Sequence, residues 1–338
     1  MLAYFLLPIL AAGLLIGFLD DDDDTQEPVN PEPPEPPVDP DPDNAIIGTE
    51  GPDDLNGTGR ADLMAGRGAA DTIDGFGGAD TISGNFGNDD LNGHGGDDVI
   101  YGNEGRDDIF GGPGDDKLTG GADDDQIAGD SGADELRGGR GDDFLEGGTG
   151  PDLLIGNQGD DSLVAGFGAD TLIGGEGDDV LVGFNEGSST DMRVGDSTPD
   201  LLDGGNGDDS IVANFRDTVT GGDGADLIRA LYDEGQTDGA ITVTDFNAAE
   251  DALVVVIGGE LVVDGDEDDG DQVDPDEVIV RAASNGEDTE VVINGVLSAV
   301  LQNTDAVALA ADTSWLANVA QPPVVSPPVV LPPIPAVS

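Results

Sequence analysis

An unbroken nine-residue repeat constrains this 338-residue chain more than any other feature of its sequence. Fifteen consecutive units run from Gly48 to Val182 without a change of register. In every unit the sixth residue is Asp and the eighth is aliphatic or Met, while the first is Gly except at Ala165. A unit with one apolar residue cannot form a core alone, so the repeat predicts a solenoid in which neighbouring units stack.

The repeat continues, less regularly, beyond an interruption at residues 184–194. Asp200, Asp209 and Asp226 each precede an aliphatic residue by two positions, as in the regular units. A unit one residue short, Ala213–Thr220, contains Asp217. The whole repeat region, residues 45–229, therefore holds roughly eighteen or nineteen units.

Two units, Gly111–Thr119 and Gly174–Val182, follow the pattern G-G-x-G-x-D-x-U-x throughout. In this pattern the chain resembles the RTX family of calcium-binding nonapeptide repeat proteins. The resemblance implies an all-β fold, in which a right-handed parallel β-roll with two units per coil precedes a β-rich C-terminal capping segment. It also implies that each ion lies between the turns of successive coils, so that Asp53 shares a site with Asp71, and Asp62 with Asp80.

The chemistry of the repeat suits calcium, which prefers hard oxygen ligands. Glycines allow the turn, positions one to six, to point carbonyl groups inward, and positions seven to nine form a short strand whose eighth side chain is buried. The candidate ligands are the Asp at position six and the turn glycines. The Asp residues are Asp53, Asp62, Asp71, Asp80, Asp89, Asp98, Asp107, Asp116, Asp125, Asp134, Asp143, Asp152, Asp161, Asp170, Asp179, Asp200, Asp209 and Asp226. The glycines are Gly75, Gly84, Gly93, Gly102, Gly111, Gly114, Gly138, Gly141, Gly147, Gly156, Gly174 and Gly177.

The number of calcium ions expected is on the order of ten. Three units carry another residue where position four is normally Gly, namely Arg60, Ala69 and Asp123. We expect weak or absent sites there and the best sites from Gly75 to Gly121 and from Gly129 to Val182.

The charge of the chain selects cations as partners. There are 74 acidic and 10 basic residues, a net charge of −64, which disfavours nucleic acid and anionic membrane surfaces. Intrinsic disorder is the alternative for so acidic a chain, but disorder does not require an aliphatic residue at every eighth position. Disorder is expected for the metal-free state, since burying one side chain per unit does not offset the conformational entropy lost on ordering nine residues. There are no cysteines, which excludes disulfides and thiolate metal sites.

The N-terminal segments differ sharply from the repeat. Residues 1–19 contain an apolar run of 18 residues, Leu2–Leu19, barely long enough to cross a bilayer as a helix. No basic residue precedes it and no clear cleavage site follows, so we predict an uncleaved anchor or export segment rather than a core helix. Residues 20–44 form an acidic, Pro-rich linker that acts as a stiff spacer.

Residues 230–320 are predicted to form a β-rich C-terminal domain, followed by a Pro-rich tail at 321–338. Within the domain, the acidic loop Asp264–Glu277 does not fit a calcium-binding EF-hand, because Gly270 is one place late and Pro275 falls at position twelve. The domain resembles the segment that caps RTX rolls in exported proteins, which implies export by a type I secretion system. The predicted strands are Ile241–Phe246, Leu253–Ile257, Leu261–Val263, Val278–Ala282, Glu290–Ile293 and Leu297–Leu301.

Outward-facing positions become apolar in the later units of the repeat. We predict that the interruption or the C-terminal segment covers them; a surface for a partner protein is the alternative. These residues are Phe144, Leu153, Ile155, Val164, Ile173, Val180 and Val182.

The sequence does not predict an enzyme. Gly129–Gly132 (GDSG) imitates a serine-protease signature, but it occupies the first four positions of a repeat. His94 is the only histidine in the chain, which excludes a two-histidine zinc motif. Acidic pairs are so common that they cannot indicate a glycosidase.

Three functions remain. The first is a non-catalytic, calcium-folded extracellular or cell-surface protein of a bacterium, with a structural or adhesive role, either released or anchored through residues 2–19; surface polysaccharide is a candidate partner. The second is an accessory or substrate-binding module of an exported enzyme, such as a polysaccharide-modifying enzyme or a protease. The third is an ice- or mineral-binding solenoid, which would need an outward Thr ladder; Thr72 and Thr81 begin one, but Asp90 and Asn92 do not continue it.

Overall fold

The computed structural model describes residues 45–184, 198–214, 216–232, 239–257, 278–282, 288–293 and 296–302. The predicted anchor, linker, acidic loop 264–277 and Pro-rich tail lie outside these residues. In the described part of the chain no helix is long and apolar enough to span a membrane.

The regular structure of the described residues consists of β-strands. In chain order they are β1 (Ile46–Ile47), β2 (Asp54–Asn56), β3 (Leu63–Gly68), β4 (Thr72–Asp74), β5 (Thr81–Phe86), β6 (Asp90–Asn92), β7 (Val99–Glu104), β8 (Asp108–Pro113), β9 (Lys117–Ala122), β10 (Gln126–Ser131), β11 (Glu135–Arg140), β12 (Phe144–Thr149), β13 (Leu153–Gln158), β14 (Ser162–Phe167), β15 (Thr171–Glu176), β16 (Val180–Val182), β17 (Leu201–Asn206), β18 (Ser210–Ala213), β19 (Thr218–Asp223), β20 (Leu227–Tyr232), β21 (Ile241–Val243), β22 (Ala252–Ile257), β23 (Val278–Ala282), β24 (Thr289–Ile293) and β25 (Val296–Leu301).

Successive strands alternate between two sheets, and each strand up to β20 pairs in parallel with the strand two places further along the chain. In the regular region the partners are 18 residues apart, as Ile82 is opposite Ile100 and Ile127 is opposite Leu145. Two nine-residue units therefore make one coil. The solenoid predicted from the repeat, and the parallel β-roll implied by the family resemblance, are confirmed.

The strands are longer than predicted. We expected three residues, positions seven to nine, but most strands run for six and include the first three positions of the next unit, as β5 does. Turn residues also pair between coils; the N–H of Gly87, for example, donates to the carbonyl of Glu104 at 2.9 Å. The ladder thus satisfies backbone groups of the turn as well as those of the strand.

The core of the roll is a stack of the residues at position eight. Ile73, Ile82 and Leu91 are fully buried, and the same holds along the stack to Ile228 and Leu253. Each buried aliphatic side chain contributes about 1.5–3 kcal/mol by leaving water. The alternation of buried and half-buried residues along each strand is the pattern expected for a sheet with one buried face.

The parallel stacking continues through β21 and β22, which pair with β19 and β20. β25 then pairs in parallel with β21, and β24 and β23 follow as antiparallel neighbours. Four of the predicted strands of this segment are confirmed to within one residue at each end, and Ile241–Phe246 is confirmed only over Ile241–Val243. Residues 261–263 lie outside the described part. The antiparallel strands extend the first sheet beyond the last coil, so the roll does not end there on an unpaired parallel strand.

The apolar outward positions of the later units are half-buried in most cases, including Phe144 and Ile155. Two side chains in this area are more open, Val180 at 39% exposure and Leu201 at 45%. Residues 185–197, which contain most of the interruption expected to cover this face, lie outside the described residues. The cover therefore stays a prediction.

Candidate metal centres

The Asp residues at position six form two columns, one along each side of the roll. The backbone N–H of each Asp donates to Oδ1 of the Asp in the next coil, as from Asp53 to Asp71 and from Asp62 to Asp80, both at 2.8 Å. The predicted neighbours are therefore adjacent. The first column comprises Asp53, Asp71, Asp89, Asp107, Asp125, Asp143, Asp161, Asp179, Asp209, Asp226 and Asp251. The second comprises Asp62, Asp80, Asp98, Asp116, Asp134, Asp152, Asp170, Asp200 and Asp217.

Inside the columns these carboxylates are almost completely buried; Asp107, for example, has 0% of its surface exposed. Oδ1 is satisfied by the N–H of the previous coil, but Oδ2 is buried without a hydrogen-bond donor along most of both columns. A buried carboxylate oxygen without a partner is costly, so these atoms require a cation or a proton. They belong to Asp71, Asp80, Asp89, Asp98, Asp107, Asp116, Asp125, Asp134, Asp143, Asp152, Asp161, Asp179, Asp209 and Asp226.

A carbonyl oxygen of the next coil lies near many of these atoms. A methyl carbon placed on Gly129 would lie 2.5 Å from Oδ2 of Asp134 and 2.7 Å from the carbonyl oxygen of Gly147 in the next coil. Glycine at position one therefore keeps a small space open between a carboxylate and a carbonyl oxygen. The predicted position-one glycines all lie against the Oδ2 of their own unit in this way: Gly75, Gly84, Gly93, Gly102, Gly111, Gly138, Gly147, Gly156 and Gly174.

The remaining predicted glycines, Gly114, Gly141 and Gly177, occupy position four and adopt φ angles of 152°, 120° and 133°. Their carbonyl oxygens face the position-four residue of the next coil. Ala69 and Asp123 also take positive φ angles, 70° and 76°, and direct their carbonyls in the same way. Arg60 does not, because carbon and nitrogen atoms of its peptide, rather than the carbonyl oxygen, lie nearest Gly78. The turn geometry is thus kept at Ala69 and Asp123 and changed at Arg60.

Burial dominates the acid–base behaviour of the columns. Desolvation raises the pKa of Asp125 and Asp161 to about 8; the hydrogen bond from the previous coil lowers each value and neighbouring carboxylates raise it. The same causes raise the pKa to about 7 at Asp107, Asp116, Asp143, Asp152 and Asp209. A divalent cation in the columns would keep these groups ionised at neutral pH.

The donor set fits calcium. Among the described residues no three Asp, Glu or His side chains converge on one point, so a site takes at most two carboxylates and draws its other ligands from the backbone. Calcium accepts backbone carbonyls together with carboxylates, whereas zinc and copper favour histidine and cysteine.

An outer ladder at position five was not predicted. The N–H of Ala133 donates to Oδ1 of Asp115 in the previous coil at 2.9 Å, and the N–H of Asp142 donates to Asp124 at 3.0 Å. This ladder runs opposite in direction to the buried columns and is exposed. The Asp-Asp pairs at positions five and six were the sequence signal for this outer ladder, because one carboxylate of each pair must lie on the outside of the roll.

His94 lies in a turn without a catalytic arrangement around it. Its Nε2 is 2.9 Å from Oδ1 of Asp74, and its ring stacks on Phe76 with 5.2 Å between centroids. Ser131, in the sequence that imitates a protease signature, belongs to strand β10 and pairs with Pro113 and Thr149. In the structure, that sequence forms the end of β10 and the start of the following turn.

A protein-family model described as RTX calcium-binding nonapeptide repeat (4 copies) matches the chain in overlapping segments from residue 47 to 183 and from 194 to 231, just over half of its length. A comparison with curated proteins finds no match.

Proposed function

The chain belongs to the RTX calcium-binding nonapeptide repeat family, and from that premise we propose that it is a calcium-folded, non-catalytic protein of the cell surface or extracellular medium, with a structural or adhesive role. The observation that carries the proposal is the run of buried Oδ2 atoms without donors in the two Asp columns.

Calcium would be held by these Oδ2 atoms and by turn carbonyls such as that of Gly147. It supplies positive charge where the fold has buried negative charge, and it links successive coils because its ligands come from both. Each site adds roughly 1.4 kcal/mol when free calcium is ten times the dissociation constant. Summed over the columns, this is comparable with the stability of a whole domain.

The need for calcium favours an extracellular location. Extracellular calcium modules bind with dissociation constants of about 10⁻⁴–10⁻³ M, so they fill outside the cell and stay empty in a cytosol with little free calcium. A chain that stays unfolded until export suits a type I secretion system. Attachment through residues 2–19 or release are both compatible with this location, and surface polysaccharide is the partner class we propose.

A structural role is supported by the use that the fold makes of its acidic groups. The position-six carboxylates are buried, so they are not open to a substrate. The outer Asp residues at position five accept backbone hydrogen bonds between coils, as Asp115 and Asp124 do. Both sets of carboxylates therefore link successive coils of the solenoid.

The test is a titration of the full-length chain, starting in chelator and ending at about 10 mM calcium, with magnesium as the control. Circular dichroism and size-exclusion chromatography monitor the fold at each step. We expect an expanded coil in chelator and a compact β-rich particle in calcium, but not in magnesium. A compact β-rich particle in chelator at neutral pH, unchanged by calcium, would contradict the proposal.

A further inference from the structure

The backbone conformation at position two differs between the interior turns and the first turn of each column. In the interior turns from Arg67 to Gly175 this residue takes a positive φ angle whatever its side chain, for example 81° at Asn85, 85° at Asn103 and 82° at Asn157. Glycine and Asn tolerate this conformation, whereas β-branched residues strongly resist it. No interior turn from Arg67 to Gly175 has a β-branched residue at position two.

The first turn of each column has Thr at position two, and neither Thr has a positive φ angle. The N–H of Thr49 instead donates to Oδ2 of Asp53 at 2.5 Å, and its hydroxyl donates at 3.0 Å. Thr58 does the same to Asp62, at 2.6 Å and 2.8 Å. The oxygen that lacks a donor in the interior therefore has two donors at this end.

The last turn of each column is closed in a similar way. The N–H of Asn214 donates to Oδ2 of Asp217 at 2.7 Å, and the N–H of Asn247 donates to Oδ2 of Asp251 at 2.6 Å. Asp217 and Asp251 are the final members of the second and first columns. Both columns are thus closed at both ends by backbone N–H groups of their own turns.

We infer that these four end turns are protein-closed caps that bind no calcium, and that the calcium ladder begins beside Asp71 in the first column and Asp80 in the second. This inference rests on the proposed calcium function. The donors at the end turns occupy the oxygen that a cation would need: Oδ2 accepts two hydrogen bonds at Asp53 and Asp62, and a backbone N–H at Asp217 and Asp251. A carboxylate oxygen that is already hydrogen-bonded has less to gain from a metal.

Thr49 is the residue that stops the first column. Its turn, Gly48-Thr49-Glu50-Gly51-Pro52-Asp53, departs from the repeat pattern G-G-x-G-x-D only at Thr49. The space at position one is present, since a methyl carbon placed on Gly48 would lie 2.6 Å from both Oδ2 of Asp53 and the carbonyl oxygen of Gly66. Removing the β-branch should therefore open a further calcium site.

The experiment counts bound calcium ions per full-length chain by native mass spectrometry and by equilibrium dialysis. Thr49→Gly should gain one ion. Asn157→Thr should lose one, because Thr at position two turns its N–H onto Oδ2 of Asp161. The matched control Asn157→Gly accepts the positive φ angle and should keep the wild-type count.

Unchanged counts in both Thr49→Gly and Asn157→Thr, on a wild-type chain that binds calcium, would overturn the inference and leave the proposed function intact. A wild-type chain that binds no calcium would instead overturn the proposed function. If Thr49→Gly does not fold, the Asn157 pair decides: equal counts in Asn157→Thr and Asn157→Gly would contradict the inference, and a loss confined to Asn157→Thr would support it.

Discussion

Interior and end turns of this solenoid share the same Asp and use it differently. At Asp161 one carboxylate oxygen accepts an N–H from the previous coil at 2.8 Å, while the other is buried without a donor. At Asp53 that second oxygen accepts two hydrogen bonds from Thr49. These two turns therefore differ in the conformation of the residue four places before the Asp, which has a positive φ angle at Asn157 and not at Thr49.

The difference explains how the same repeat can require calcium in its interior turns and not in its end turns. In an interior turn the buried Oδ2 has no hydrogen-bond donor and requires a cation, and every further coil adds another such turn. In an end turn the same oxygen accepts a hydrogen bond from its own turn. The end turns thus differ from the interior ones, as the terminal repeats of other solenoids do. The following experiments separate the two kinds of turn, from the largest expected effect to the smallest.

Acid should replace calcium in the interior turns. Burial raises the pKa of Asp125 and Asp161 to about 8 in the folded chain, above the ordinary value near 3.8. A raised folded pKa gives stability that is fully present below the unfolded pKa and is lost as pH rises through the folded pKa. In chelator we therefore expect the chain to be compact near pH 4 and to expand between about pH 6 and 8, as measured by circular dichroism and size exclusion.

Two controls define this experiment. The calcium-loaded chain should stay compact throughout the same range. Salt at about 1 M and pH 8 should not compact the metal-free chain, because screening weakens repulsion between exposed charges but gives no partner to a buried oxygen. Compaction by salt alone would show that general repulsion, rather than the columns, governs folding.

Truncation of the core should cost more in the interior than at the end. Leu136 is fully buried between coils, so Leu136→Ala should lower the free energy of unfolding in calcium by about 2–5 kcal/mol. Leu55 in the first coil is only partly buried, and Leu55→Ala should cost less than half as much. Chemical denaturation in saturating calcium measures both, and equal losses would mean that the end coils pack as tightly as the interior.

An Asp→Asn substitution in an interior turn should lower stability in calcium and raise it in chelator. In an end turn its effect should not change sign. Asp161→Asn removes a calcium ligand, so it should cost about 1.4 kcal/mol at free calcium ten times the dissociation constant. In chelator it should stabilise the chain, since it removes a buried charge that has no partner. Denaturation in calcium measures the first effect. The pH at which the metal-free chain expands, which should rise in the variant, measures the second.

The matched end variant is Asp53→Asn, whose side-chain carbonyl can still accept the hydrogen bonds from Thr49. We expect an effect of about 1 kcal/mol or less, with the same sign in calcium and in chelator. A calcium-dependent change of sign at Asp53 would remove the distinction between end and interior turns.

A methyl group at position one should have the smallest effect, confined to one site. Gly129→Ala places a carbon between Oδ2 of Asp134 and the carbonyl of Gly147, and should weaken calcium binding there several-fold. The fold should be kept, because Ala165 is already buried at position one of another unit. Ala165→Gly is the reciprocal variant and should tighten binding; isothermal titration calorimetry measures both.

Much of the fold could be predicted because the repeat imposes one physical constraint many times. An aliphatic residue every nine positions fixes which side chains face inward. The family resemblance implied two units per coil, which sets Ile82 opposite Ile100, and it also implied the neighbouring Asp pairs. The strands of the C-terminal segment could be predicted from their dense β-branched residues, as at Val278–Ala282.

The end turns could not be predicted in the same way. The repeat pattern places Asp53 and Asp62 among the candidate metal ligands, but it does not show the hydrogen bonds that Thr49 and Thr58 donate to them. Asp251 was not included, because its unit lacks the glycines of the pattern, and yet its Oδ1 accepts the N–H of Asp226 at 3.2 Å. The longer strands were missed because ladder pairing of turn residues depends on the neighbouring coil.

The most direct test of the distinction between interior and end turns is anomalous X-ray diffraction from crystals of the calcium-loaded chain. Calcium peaks should lie in contact with Oδ2 of Asp71, Asp80 and the interior members that follow, and none should contact Asp53, Asp62, Asp217 or Asp251. A calcium ion bound to Asp53 or Asp62, or interior Oδ2 atoms without any cation, would contradict it.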